Sequence, residues 1–207
     1  MVENSELYHV VNTLLHLQTQ IKVAVTTLDK VYENKDVINT IKYNDEYFDN
    51  QATFQAALNG LLSNHCIILF CSFLDEYELF NPTLSQEYKE LILSVRRKNE
   101  PGLDRIRKWK DLKPFRNELA AHNFKIKGKS FFSKEVESLE YIIPNTISEK
   151  KLFMYIIDFI CLNILEKFPN HYNREFVMIE KINIIGEEIN FVEEAKKMFL
   201  VMRGKLQ

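Results

Sequence analysis

Leu61-Leu62-Ser63-Asn64-His65-Cys66-Ile67-Ile68-Leu69-Phe70-Cys71-Ser72-Phe73-Leu74 is apolar on nearly every side of a helix. A helix of that kind belongs at the centre of a bundle, because an ordinary surface helix carries a single apolar stripe. Asn64, His65 and Ser72 are its polar exceptions, and each is expected to need a partner in such a setting. The stretch extends into a predicted helix from about Gln51 to Phe80, stopped by Asn81-Pro82. Asp75-Glu76 closes the apolar run. A carboxylate there either returns to solvent or reaches the region of Arg116.

Upstream, Ser5 can cap a helix running to about Tyr32. Leu7, Val10, Val11, Leu14, Leu17, Ile21, Val25 and Leu28 recur along it at three- and four-residue steps. Asn34 to Asn50 is a polar, aromatic connector with a short helix expected over Val37 to Ile41. Downstream, a helix is predicted from Ser85 to about Lys98, with Tyr88, Leu91, Ile92 and Val95 facing inward. Pro101-Gly102 should break it, and Leu103 to Trp109 should form a short separate segment. Asp111 is a candidate cap for the next helix, with Pro114 tolerated in its first turn.

Phe124 to Phe132 alternates and turns at Gly128, which suits a small hairpin. Ser133 to Ile143 shows no period, and Pro144 ends it. Thr146 with Glu149 three residues on is a capping-box pattern. It opens an apolar helix from Ile147 to Phe168, ended by Pro169-Asn170. Helical segments near Arg174 to Ile185 and Asn190 to Met202 form a tail. The expectation is an all-α, up-and-down bundle of four to five core helices in one domain, residues 1–207. Its core covers about 5–168, with a hairpin insertion and a C-terminal helical extension over about 171–207.

Composition bounds the function. Three cysteines, Cys66, Cys71 and Cys161, are odd in number and lack C-x-x-C spacing, so buried reduced thiols in a cytoplasmic protein are expected. The polar, acidic start offers no signal peptide, and no stretch was expected to reach the roughly 20 apolar residues of a membrane span. His9 and His16 share a helix face without an Asp, Glu or Cys at ligand spacing, so no metal and no cofactor are expected.

Charge is unevenly placed. Between Arg96 and Lys129 stand 12 basic residues and four acids, a surplus of eight in a chain whose net charge is −2. Local basic fields attract polyanions within a Debye length of ~8–10 Å. Trp109, Phe124, Phe131 and Phe132 lie among these charges and could stack on single-stranded bases. Lys113, Lys125, Lys127 and Lys129 are the candidate RNA contacts. The competing reading is a set of solvated helix faces.

Inside this cluster sits Phe115-Arg116-Asn117-Glu118-Leu119-Ala120-Ala121-His122-Asn123. An arginine offers a planar, permanently charged fork for phosphate, and a histidine can move a proton near neutral pH. On an ideal α-helix the two would lie about 120° apart around the axis. Arg116-Asn117, three residues, Ala121 and His122 resemble the R-x(4–6)-H motif of the HEPN superfamily, and the Ala121-His122 ending resembles its abortive-infection branch. The likeness covers roughly residues 50–168.

The resemblance implies a metal-independent endoribonuclease serving as a toxin or antiphage defence effector, or an inactive relative that binds RNA or a protein. It implies a homodimer, because Arg and His of two protomers share one cleft in that family, and a cognate antitoxin or defence-system partner. Arg116 would hold the scissile phosphate, and His122 would act as acid or base on the RNA 2′-OH. Asn117, Glu118 and Asp75 would support them, although Glu118 reads more simply as solvated. Phe124 stands where one toxin–antitoxin branch has a modifiable tyrosine, so that route of inactivation does not fit.

Overall fold

The computed structural model describes residues 5–33, 51–120, 125–126, 129–130, 140–173 and 193. The chain divides into two compact units, Met1–Arg174 and Glu175–Gln207, and the first carries every feature considered below. The predicted helix at Val37 to Ile41, the stretch from Ser133 to residue 139 and the tail segments lie outside the described residues, apart from a helical Glu193.

The first unit is an all-α bundle. Helix α1, Glu6–Glu33, begins where Ser5 Oγ accepts the Tyr8 amide at 3.1 Å, the first-turn cap that the sequence suggested. Its stripe from Leu7 to Leu28 is buried. Each fully buried Leu or Ile there contributes roughly 1.5–3 kcal/mol. Helix α2, Gln51–Leu79, packs along α1, and α1 also packs on α5, Ile147–Lys167. Helix α3, Lys89–Arg107, lies on the far side of α5. Ion pairs flank the seams: Lys22–Asp158 at 3.0 Å and Lys151–Asp29 at 2.7 Å join α1 to α5, and Lys98–Glu166 at 2.7 Å joins α3 to α5.

Helix α2 is less enclosed than its composition suggests. Cys66, Phe70, Cys71, Phe73 and Tyr77 are buried, yet Leu61 is exposed and His65 faces solvent, so His65 needs no partner. Ser72 donates to the Ile68 carbonyl at 3.0 Å. Ala57–Leu79, with a mean hydropathy of 1.6, does meet the length and composition of a membrane span. This corrects the expectation that no stretch would. Its buried face is nevertheless part of the bundle core. All three cysteines are free and buried, and burial pushes the thiols of Cys66 and Cys71 up to about 11.

Pro101-Gly102 does not break α3. The helix starts at Lys89, later than Ser85, and continues to Arg107 with Pro101 inside it. Pro101 removes the bond to the carbonyl of Arg97, four residues back, and both residues are exposed, so water can satisfy that oxygen. Gly102 faces α5 so closely that a Cβ would come within 2.9 Å of Ile156 Cγ2. Leu91, expected inside, is exposed, whereas Ile92 and Val95 are buried. At α5 the capping box is complete, with Thr146 and Glu149 each bonding the other's backbone.

Asn12 ties the end of α5 back to α1. Its amide donates to the carbonyls of Tyr8 and His171, both at 2.7 Å, and its oxygen accepts the Asn173 amide at 2.8 Å. His171 closes the 3-10 turn Pro169–His171, edge-on to Tyr88 and Phe168. Its Nδ1 has no hydrogen-bond partner among the described residues. Burial lowers its pKa from 6.5, against the opposing pull of Glu87.

Two expectations follow. A pKa lower in the folded state than in the unfolded one favours the fold above the unfolded value. Stability should therefore fall as pH drops below about 6.5, and His171→Phe should flatten that slope in denaturant titrations. Gly102→Leu should lower unfolding stability by about 1–3 kcal/mol through overpacking against Ile156; an unchanged midpoint would mean that α3 and α5 are not so close.

Candidate functional site

The site grows from the C-terminal part of α2. Phe70 stacks on Phe153 of α5 with ring centroids 4.0 Å apart, and Trp109 stacks on the same Phe153 at 5.5 Å. Trp109 is buried, and Arg105 lies over its ring at 4.1 Å. The indole is therefore a core residue, not a surface for stacking bases as the sequence suggested. This aromatic stack fixes the start of the segment 109–120 against α2. Cys71 Sγ then donates to the Leu112 carbonyl at 3.5 Å.

That segment has two conformations in succession. Leu112–Phe115 is one α-helical turn, α4, and Arg116–Ala120 is a π-helical turn. The expected single α-helix is interrupted at Arg116 by the π turn, and the expected 120° offset between Arg116 and His122 falls on a residue outside the described ones. Asp111 makes no side-chain cap. Its carboxylate instead accepts the Ile142 amide at 2.7 Å, which pins the segment before α5 to this loop. π turns are rare and recur at functional sites, because they wind an extra residue into the helix and re-aim the side chains beyond it.

Asp75, one turn after Cys71, reaches this segment. Its Oδ2 accepts Arg116 Nη1 at 2.5 Å, and its Oδ1 pairs with Lys113 Nζ at 2.8 Å. Lys113 also bonds Glu78 Oε1 at 3.1 Å. Burial alone would raise the Asp75 pKa, but the hydrogen bonds from Lys113 and Arg116 outweigh it and hold the carboxyl below 3.8. The bond to Asp75 in turn raises Lys113 and Arg116, so both stay charged.

Arg116 Nε donates to Asn117 Oδ1 at 3.1 Å. Among the described residues these contacts occupy Nε and Nη1, and none engages Nη2. The guanidinium side chain is 24% exposed, so a ligand can reach it.

Glu118 is not simply solvated. Its Oε2 accepts the Tyr141 hydroxyl at 2.7 Å, and the Tyr141 ring stands edge-on to Phe115. Burial and the bond to Glu118 push the phenol up to about 12. Sequence reasoning passed over Tyr141 because it lies in an aperiodic stretch, with only the nearby Pro144 as a signal.

Strand β1, Lys125–Ile126, pairs with β2, Lys129–Ser130, in the expected hairpin, and β1 lies against the π turn. The side chains of Lys125 and Lys129 lie outside the described residues, as do His122, Phe124 and Lys127. The structure thus joins Asp75, Lys113, Arg116 and Asn117 in one cluster, and it sets Glu118 on Tyr141 beside them.

Much of the basic surplus is already paired. Arg96 donates to the carbonyls of Tyr77 and Phe80 at the end of α2, and Arg107 pairs with Glu100 and Asp104. No cluster of three or more His, Cys, Asp or Glu able to hold a metal occurs among the described residues. Comparison with protein-family models, curated proteins and solved structures gives no match to the chain.

Asp75→Asn tests the cluster. Its carboxylate is 42% exposed, so the loss should stay within ~1 kcal/mol at neutral pH. Because the folded pKa is depressed, the stability gap between wild type and variant should be present above about pH 4 and close as pH falls further. A gap that persists in acid would mean that the carboxylate charge is not what holds the cluster.

Proposed function

We propose that this chain is a HEPN-like, metal-independent endoribonuclease of the toxin or antiphage-defence kind, working as a homodimer. The observation that carries the reading is Arg116 at the start of a π turn. Asp75 and Asn117 fix its guanidinium from two sides, with donors left over. A fixed arginine costs no reorganisation when charge develops on a phosphate, which is where such stabilisation counts most. Arg116 binds the scissile phosphate, and His122, assigned by resemblance, exchanges the proton of the 2′-OH and the leaving oxygen. RNA is the substrate because the attacking group is its 2′-OH. Lys125, Lys127 and Lys129 extend the contact along the backbone, and a cognate antitoxin or defence partner would restrain the activity.

One observation favours a second reading, an inactive HEPN-like bundle that binds RNA or a protein. The charges of Arg116 and Lys113 are balanced by Asp75 and Glu78, so the site carries little net positive field. Cleavage of RNA in EDTA separates the two. Arg116→Ala and His122→Ala should each lower the rate by about 10²–10⁴-fold. Activity that survives both substitutions would remove the site assignment, and wild type that binds RNA without cutting it would leave the binding reading.

A further inference from the structure

Tyr141 and Ile142 run past the segment that carries Arg116 and grip it at both ends. The Ile142 carbonyl accepts the Asp111 amide at 3.2 Å, and the Ile142 amide donates to the Asp111 carboxylate at 2.7 Å. Those two bonds fix the backbone from which Tyr141 projects. Its ring stands edge-on to Phe115, and its hydroxyl donates to Glu118 Oε2 at 2.7 Å. Phe115 is the last residue of α4, and Glu118 is the third of the π turn. One side chain therefore spans the junction where α winding gives way to π winding. Residues three apart share a helix face, which lets a single tyrosine hold both.

The turn is held from two sides. Residues two apart point in nearly opposite directions on a helical turn. Arg116 is held by Asp75 of α2, and Glu118 by Tyr141. The stretch that supplies Tyr141 is tied down shortly afterwards at the α5 capping box, where Glu149 also accepts the Trp109 indole N–H at 3.4 Å.

We propose that Tyr141 is a positioning residue: its hydroxyl bond to Glu118 keeps Arg116–Ala120 in the π form and so sets the direction in which the chain leaves toward His122. A π turn holds one residue more than an α turn, so relaxing it would rotate everything beyond it by about 100° relative to Arg116. The α form is the ordinary choice for such residues, and a contact from outside the turn must select the wider one. A phenylalanine at 141 would meet Phe115 equally well. The hydroxyl adds only the bond to Glu118, and that bond draws a carboxylate partly out of water, which is no route to a more stable bundle. Its use is directional. The inference rests on the reading of Arg116 and His122 as a pair acting on RNA, because the direction of His122 matters only if it exchanges a proton there.

The test compares wild type, Tyr141→Phe, Glu118→Gln and Glu118→Ala in the full chain. Hydrogen exchange of the amides at 116–120 reads the turn, and RNA cleavage in EDTA reads the direction. In Tyr141→Phe, exchange at 116–120 should speed up about tenfold while α1 and α5 keep their protection. Its kcat should fall about ten- to hundredfold with KM within about twofold, since Arg116 keeps Asp75 and still binds the phosphate. Glu118→Ala should behave in the same way. Glu118→Gln keeps an oxygen that accepts the hydroxyl, so it should retain wild-type exchange and a kcat within about threefold. A purely structural role would raise exchange throughout the bundle and leave the split between kcat and KM unmoved.

Wild-type exchange at 116–120 in Tyr141→Phe would overturn the proposal, and so would faster exchange with kcat unchanged. If wild type cuts no RNA, the ribonuclease reading fails by itself, and the exchange result alone then decides whether Tyr141 holds the turn.

Discussion

Phe153 carries the arrangement around the site. It receives Phe70 of α2 on one side and stacks with Trp109 on the other. Helices α2 and α5 are each packed on α1, so this aromatic contact is where side chains close the gap between them. It also anchors the chain as it leaves α3. Offset aromatic pairs add about 0.5–1.5 kcal/mol beyond the area they bury. That contribution is directional, because it fixes where residue 109 lies and hence which turn of α2 the next residues meet. Leu112 then meets Cys71, and Arg116 meets Asp75 one turn further along.

The polar interior follows the same logic of anchoring irregular chain to regular helices. Tyr77 accepts Asn99 at its hydroxyl, and Asn99 accepts Asn163 at 2.6 Å, a network that joins α2, α3 and α5 through groups that would be costly if unpaired. Lys150 is buried and donates to the Asn145 carbonyl at 2.6 Å, with burial lowering its pKa. Asn12 does the same for the turn after α5. Each is a polar side chain turned inward where the backbone cannot satisfy itself, which is why these positions resist a simple inside–outside pattern.

The helices were legible because their signals are local. The stripe of α1, the cap at Ser5 and the capping box at Thr146 depend on residues within one or two turns. The errors occur where a distant segment decides. Pro101-Gly102 reads as a stop in isolation, and only Ile156, more than fifty residues away, explains why a glycine belongs inside a continuous helix. Trp109 reads as an exposed aromatic among cations until Phe153 and Arg105 cover its faces. Asp75 could be suspected near Arg116, since it ends an apolar run that must pack on something. The π turn had no such trace, because the residues Arg116 to Ala120 fit an ordinary α-helix equally well by propensity.

Charge shows most clearly how a sequence-level quantity changes meaning once it is folded. A surplus of eight positive charges suggested a field that would draw in a polyanion. In the structure Arg116 and Lys113 face Asp75 and Glu78 at hydrogen-bond distance, so at longer range the pairs nearly cancel. What these two paired cations still offer is geometric. Arginine has five N–H donors in a fixed plane, and holding Nε and Nη1 leaves Nη2 aimed by its partners rather than by solvent. Lysine has three donors, and two carboxylates already claim Lys113. A phosphate arriving here is recognised first by the preset guanidinium edge, and it must displace a carboxylate to gain Lys113. The cluster therefore discriminates by shape and by exchange of partners, and the long-range pull falls to cations such as Lys110 that no carboxylate among the described residues holds.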